Sequence, residues 1–182
     1  QKGLYQHYKM ISNESPVPVI LYNVPGRTGC NMSAETTLNL ASDFDNIIGV
    51  KEASGNPEQI MAIIKDRPEG FLVISGDDLL TLPLIAAGAD GVISVVANAF
   101  PKEFSEMVRL CLKDNFEKAR ELHYLLSDIT PLLFAEGSPS GIKSVLNFMG
   151  ICEDHLRLPL VNVSKSHQNK LIAAVEKIHE LA

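Results

Sequence analysis

One pattern recurs four times along this chain: a short continuous apolar run, a polar or glycine-rich loop, then a helix-forming stretch. The runs cover residues 17–22, 47–51, 71–75 and 91–95. They do not alternate apolar with polar residues, as a strand with one wet face would. Continuous apolar runs belong to parallel strands covered on both faces. Repeated strand–helix units with short loops mean an α/β architecture. The punctuation agrees. Pro16 and Pro18 confine the first strand at its start, since proline cannot donate to a ladder. Ser33 is a helix N-cap with Thr36 three residues on. Asn56-Pro57 supplies an N-cap followed by proline at the first helical position, opening a helix to about Asp66. A third helix runs from about Asp78 to Gly88, a C-terminal capping glycine. Pro101 opens a fourth.

From about Asp114 the strands stop. Residues 116–136 read as one long helical stretch, with a break expected near Pro131. A helix over 140–149 ends at Gly150, and residues 156–160 read as extended. From Ser164 an amphipathic helix runs to the end, with Leu171, Val175 and Ile178 on one stripe. The expected organisation is therefore a βα region over 1–113 and a helical region over 114–182. Four parallel strands suit either a small open sheet or half of a (β/α)8 barrel. The phrase Ala87-Gly88-Ala89-Asp90-Gly91-Val92-Ile93, a helix end running straight into a late strand, points by analogy to the second half of a barrel. No Gly-x-Gly-x-x-Gly or phosphate-loop motif competes for a nucleotide reading.

Charge and composition narrow the partners. The net charge is −6 and the pI about 5.3, with lysine and arginine scattered. Nucleic-acid binders carry basic patches, so nucleic acid is not an expected partner. No apolar run approaches the ~20 residues of a membrane span. Cys30, Cys111 and Cys152 are odd in number and far apart, without metal-site spacing, and read as reduced and intracellular. The five histidines are dispersed, so no metal site is expected. The chain opens at Gln1 directly into a helix-like stretch, as the interior of a longer protein would.

Lys51 is the residue that bears on chemistry. It ends the run Ile47-Ile48-Gly49-Val50. Burying an ammonium without a partner is costly. An unprotonated amine in an apolar pocket is what a Schiff-base enzyme needs, because only that form attacks a carbonyl. The competing reading of the segment alone is a strand reaching water, with Lys51 extending its head into solvent. The other strand ends favour the first reading. Ligands of α/β sheets and barrels bind at the carboxyl ends of strands. Those ends here are Tyr22-Asn23-Val24-Pro25-Gly26-Arg27-Thr28-Gly29, Lys51-Glu52-Ala53-Ser54-Gly55, Ser75-Gly76-Asp77-Asp78 and Ile93-Ser94-Val95-Val96-Ala97-Asn98. All four bring polar or glycine-rich groups to one rim. Tyr22 is either a core tyrosine bonded at the rim or a phenol relaying protons. Arg27 is either solvated or a bidentate grip for a carboxylate. Gly76-Asp77-Asp78 reads as a turn and helix N-cap in preference to an acid pair. Glu52 points to the face opposite Lys51 and reads as structural.

Two motifs, Tyr22-Asn23-Val24-Pro25-Gly26-Arg27-Thr28-Gly29 and Gly49-Val50-Lys51-Glu52-Ala53-Ser54-Gly55, together resemble the dihydrodipicolinate synthase family, within the N-acetylneuraminate lyase group of class I aldolases. Ser75-Gly76-Asp77-Asp78 and Gly88-Ala89-Asp90-Gly91-Val92-Ile93-Ser94 fit in the same order. The likeness runs over the whole chain and covers the part of the family from just before the fifth barrel strand. The resemblance implies an imine between Lys51 and pyruvate, with no metal or other cofactor. It implies Tyr22 as proton shuttle and Arg27 as the holder of the aspartate semialdehyde carboxylate. The Ile93 backbone would face pyruvate, and Gly76 would line the pocket. The implied reaction is condensation of pyruvate with aspartate semialdehyde toward diaminopimelate and lysine, by a cytoplasmic homotetramer or homodimer.

The resemblance has departures. The family's threonine pair, the second tyrosine of its proton relay and its lysine feedback site fall outside this chain. In Glu136-Gly137-Ser138-Pro139-Ser140-Gly141-Ile142-Lys143, many relatives carry Asn for Ser138, where it shapes the second-substrate side, and Pro for Gly141. Other readings stay open here: a lyase of N-acetylneuraminate or of 2-keto-3-deoxy sugar acids, which does not need Arg27; a non-catalytic fragment needing its N-terminal complement; and a phosphate-binding barrel using the loops near Gly76 and Gly91.

Overall fold

In a computed structural model, four strands pair in sequence order, each parallel to the next. They are β1 (Val19–Asn23), β2 (Ile47–Glu52), β3 (Leu72–Ser75) and β4 (Gly91–Val92). The structure describes residues 1–181. The described residues form two units, one over Gln1–Ile93 and one starting at Ser94.

The first unit holds the sheet with α1 (Lys2–Glu14), α2 (Pro25–Thr28), α3 (Ala34–Asp43), α4 (Pro57–Asp66) and α5 (Thr81–Ala86). The sequence signals for the helix starts are used as written. The Ser33 hydroxyl accepts the Thr36 amide, and the Asn56 side chain accepts the Gln59 amide, with Pro57 beginning α4. One sheet face carries Leu21, Val50 and Val73, buried with Leu40 of α3, Ile60 and Ile63 of α4, and Leu84 of α5. Each such side chain contributes about 1.5–3 kcal/mol by leaving water, so this layer fixes the sheet. The other face is less covered: Ile20, Tyr22 and Leu72 are exposed, and Lys51 and Ile74 are half-buried.

Three elements of this unit differ from the sequence reading. The loop after β1 contains a one-turn helix, α2. Pro25 stands at its start, and Gly29, at φ 66°, closes it by donating to the Pro25 carbonyl. The third helix begins at Thr81 rather than near Asp78, because the Asp77 carboxylate accepts the Leu79 and Leu80 amides and holds a turn there. Strand β4 ends at Val92 rather than running to residue 95. Ile93 extends the pairing by one bond to the Ser75 carbonyl. Then Ser94 accepts the Ala97 amide and turns the chain into a short 3-10 segment over Val96–Asn98, the competition with strand pairing that serine offers.

The second unit contains α6 (Pro101–Cys111), α7 (Phe116–Ser127), α8 (Ile129–Leu132), α9 (Ser140–Phe148) and α10 (Lys165–Leu181). Helix α7 ends at Ser127, earlier than the expected break at Pro131. A proline ring collides with the carbonyl four residues before it, and four residues before Pro131 is Ser127. Pro131 then sits in the first turn of α8, where its missing amide costs nothing. Leu171, Val175 and Ile178 of α10 are buried as their spacing predicts. The start of α10 is held by Glu136, which accepts the Ser164 hydroxyl and amide, each at 2.6 Å. Those two bonds hold the Glu136 carboxyl below the usual carboxylate range. Gly141 lies against the Leu133 backbone, where a Cβ would stand 2.3 Å from the Leu133 oxygen. Residues 156–160 form no strand. Cys111 is buried, Cys30 and Cys152 are exposed, and none is in a disulfide. Among the described residues no helix is long and apolar enough to cross a membrane.

Candidate active site

The parallel register builds one row of residues across the sheet. Tyr22 stands beside Lys51, Lys51 beside Ile74, and Ile74 beside Gly91. Neighbours in register share a face, so all four side-chain positions fall on the less covered side, near the carboxyl ends of the strands. The Tyr22–Lys51 separation of 29 positions in sequence is one βα turn of the chain. Its effect is to set the two side chains in direct contact. The Lys51 Nζ lies over the Tyr22 ring, 4.3 Å from its centroid, within the range of a cation–π contact.

Lys51 is half-buried rather than buried. The physical reason is its face. Neighbouring Val50 and Glu52 point under the helices and are fully buried, while Lys51 points to the open side. Tyr22 is 43% exposed on that side. The ring meets the amine with its face, so its hydroxyl is left for other atoms.

Gly76 follows β3 and packs directly on Lys51. A Cβ there would stand 3.1 Å from the Lys51 Cε and 2.7 Å from the Ala53 Cβ. The Gly76 amide donates to the Glu52 carbonyl at 2.8 Å, which keeps the loop this close. Ile93 follows β4 and is 49% exposed. Its amide donates to the Ser75 carbonyl at 3.0 Å. Arg27 is exposed on α2, in the loop after β1. Lys51 thus touches both Tyr22 and Gly76, while Arg27 and Ile93 stand after β1 and β4, at the same ends of the strands. Asp77 serves the turn described above.

The sequence reading put Glu52 on the opposite face and left it there as structural. The face is right, but the reading missed what surrounds it. Glu52 is fully buried. The Asn23 Nδ2 donates to both of its oxygens, at 3.0 and 3.1 Å; the Ser54 amide and the Gln59 Nε2 each donate at 2.9 Å. Asn23 also accepts the Met32 amide at 2.9 Å and donates to Asn31 at 2.8 Å. The signal was present in the sequence: Asn23 and Glu52 have the same 29-residue separation as Tyr22 and Lys51. Among the described residues, no three His, Cys, Asp or Glu side chains group closely enough to hold a metal ion.

Comparison with known proteins adds the lineage. The model of the dihydrodipicolinate synthetase family matches residues 1–178. A protein of Parabacteroides distasonis, named 4-hydroxy-tetrahydrodipicolinate synthase, is 55% identical over 181 residues. That match covers 100% of this chain and 59% of the relative. The synthase of that name from Aquifex aeolicus is 44% identical, over 97% of this chain and 60% of its own length. Among solved structures, dihydrodipicolinate synthase from Aquifex aeolicus superimposes with a TM-score of 0.95 at 43% identity, covering 98% of this chain and 61% of that one. The Thermotoga maritima enzyme gives 0.95 at 41% identity, over 98% and 61%. The chain therefore spans about three fifths of the length of these relatives. Its four βα units and following helices are the C-terminal half of a (β/α)8 barrel with a helical appendix.

Proposed function

The chain belongs to the dihydrodipicolinate synthetase family, and on that premise we propose that it carries the Schiff-base centre of an enzyme condensing pyruvate with aspartate semialdehyde. The observation that carries this reading is the Lys51 amine lying 4.3 Å over the Tyr22 ring, in one register row at the carboxyl ends of the strands. In the proposed mechanism the Lys51 amine adds to the C2 carbonyl of pyruvate and water leaves, giving an imine. Loss of a proton from C3 turns the imine into an enamine. The enamine carbon attacks the aldehyde of aspartate semialdehyde. The amino group of that substrate then adds to C2 and displaces Lys51, releasing the cyclic product and the free enzyme.

Tyr22 relays protons to and from substrate atoms, a role suited to a hydroxyl whose ring is already seated against the amine. The Ile93 carbonyl faces bound pyruvate, and Gly76 lines the pocket. Arg27 grips the carboxylate of the second substrate from the loop after β1. The imine on Lys51 is the only covalent carrier in this scheme, and no metal takes part. The whole enzyme acts as a cytoplasmic homotetramer or homodimer, in the route to diaminopimelate and lysine; the three cysteines outside any disulfide suit a reducing compartment.

The test is pyruvate with borohydride on the full-length protein, followed by peptide mass spectrometry. A reduced pyruvyl adduct on the Lys51 peptide is expected. An adduct elsewhere, or none, removes the mechanism.

A second expectation concerns Gly76. Alanine there must push Ala53 or the Lys51 stem aside, because 2.7 Å is closer than carbon atoms approach. Overpacking of this kind costs about 1–3 kcal/mol. A displacement near 1 Å at a reacting group lowers rate by as much as ~10²-fold. Gly76→Ala should therefore slow adduct formation by roughly tenfold or more at saturating pyruvate. Trapping at the normal rate would show that the loop yields instead of Lys51.

A further inference from the structure

We infer that Glu52 is a positioning residue for Lys51, Tyr22 and the Arg27 loop, acting through its buried hydrogen-bond network. This rests on the Schiff-base reading above. A fully buried carboxyl group is costly unless hydrogen-bonded, and apolar packing of similar volume does as well or better for stability alone. What marks the Glu52 network is where its partners stand. Glu52 directly follows Lys51, and Asn23 directly follows Tyr22. Asn23 and Glu52 are paired in the sheet register and bonded through their side chains. Tyr22 and Lys51 therefore each have, one position on and on the opposite face, a member of the same network.

The network also ties down the loop after β1. Asn23 binds Asn31 and the Met32 amide, and Asn31 donates to Gln59 of α4 at 2.8 Å. Gln59 returns to Glu52 at 2.9 Å. Both ends of the segment bearing Arg27 are thus joined to the strand end bearing Lys51. The polarity of the amides is fixed. Asn23 cannot turn over, because its oxygen accepts from Met32 while its nitrogen serves Glu52 and Asn31. Gln59 cannot, because its oxygen accepts from Asn31. Both Glu52 oxygens consequently face N–H donors. Glu52→Gln would set an NH2 group against another N–H, with no flip that repairs it without breaking a second bond.

The experiment measures the initial rate of borohydride trapping at saturating pyruvate in the full-length protein, beside thermal unfolding of the same samples. Glu52→Gln is expected to lower the trapping rate per folded molecule by about tenfold to a hundredfold. Gln59→Ala removes from α4 the amide that donates to Glu52 and accepts from Asn31; it is expected to keep the fold and lower the same rate several-fold, with pyruvate KM unchanged. If Glu52→Gln does not fold, Gln59→Ala decides. Normal trapping rates in the folded variants, even with lowered unfolding temperatures, would make the network structural only and overturn the inference. Absence of a Lys51 adduct in the unsubstituted protein is a different result: it removes the Schiff-base reading itself.

Discussion

Lys51→Ala, made in the full-length protein, is expected to give no borohydride-trapped pyruvyl adduct and to lower turnover by roughly 10³-fold or more, the scale seen when a covalent nucleophile is removed. The protein should still fold. Lys51 is half-buried on the less covered sheet face, so alanine leaves no cavity under the helices, where Leu21, Val50 and Val73 make the core. Alanine does remove the amine seated over the Tyr22 ring, an interaction worth about 0.5–1 kcal/mol at an exposed site. Unfolding temperature should therefore move by a few degrees at most. The prediction is checked by trapping and steady-state turnover on a sample whose melting curve has been recorded. Substantial turnover by a folded Lys51→Ala protein would end the imine mechanism and return Lys51 to a strand-end lysine with its head in water.

The placement of the candidate site was legible because the strands are parallel. Continuous apolar runs marked parallel strands, whose carboxyl ends lie on one side of the sheet, so Tyr22 and Lys51 could be placed on one rim; that they are register partners is seen only in the structure. The helix starts at Ser33 and Pro57 were legible for a local reason: the capping residues act within three positions of themselves. Two kinds of feature were not. Boundaries set by competition between side chain and backbone escaped, as at Asp77 and Ser94, where a carboxylate and a hydroxyl take amides that a helix or strand would otherwise use. The role of Glu52 escaped because its meaning lies in partners from β1, the following loop and α4 at once. A carboxylate read alone gives only the face it points to. The helix end at Ser127 was readable in principle, since it is the carbonyl that Pro131 would strike.

Arg27→Ala addresses the other half of the reaction. If Arg27 grips the carboxylate of aspartate semialdehyde, its removal should leave imine formation with pyruvate within about twofold of normal. It should lower kcat/KM for the semialdehyde by roughly 10²-fold. That figure follows from a charge-assisted, bidentate pair worth about 3 kcal/mol, at 1.4 kcal/mol per factor of ten. The geometry supports such a division. Arg27 lies on α2, whose backbone closes on itself through Gly29 and Pro25, in the loop after β1, whereas Lys51 stands on β2. Truncating an exposed side chain in a self-closed turn should not propagate to the amine. Lysine at position 27 should restore only part of the loss, because an ammonium matches the charge but not the fork of two N–H donors. The measurement pairs trapping with pyruvate alone against coupled turnover with both substrates. Equal damage to both would mean that Arg27 holds the site together rather than a substrate. Undamaged semialdehyde turnover would remove the carboxylate grip altogether. If the unsubstituted protein does not turn over the semialdehyde, aldehydes derived from N-acetylneuraminate or 2-keto-3-deoxy sugar acids become the partners to offer, since a lyase of that type keeps Tyr22 and Lys51 and has no need of an arginine in this loop.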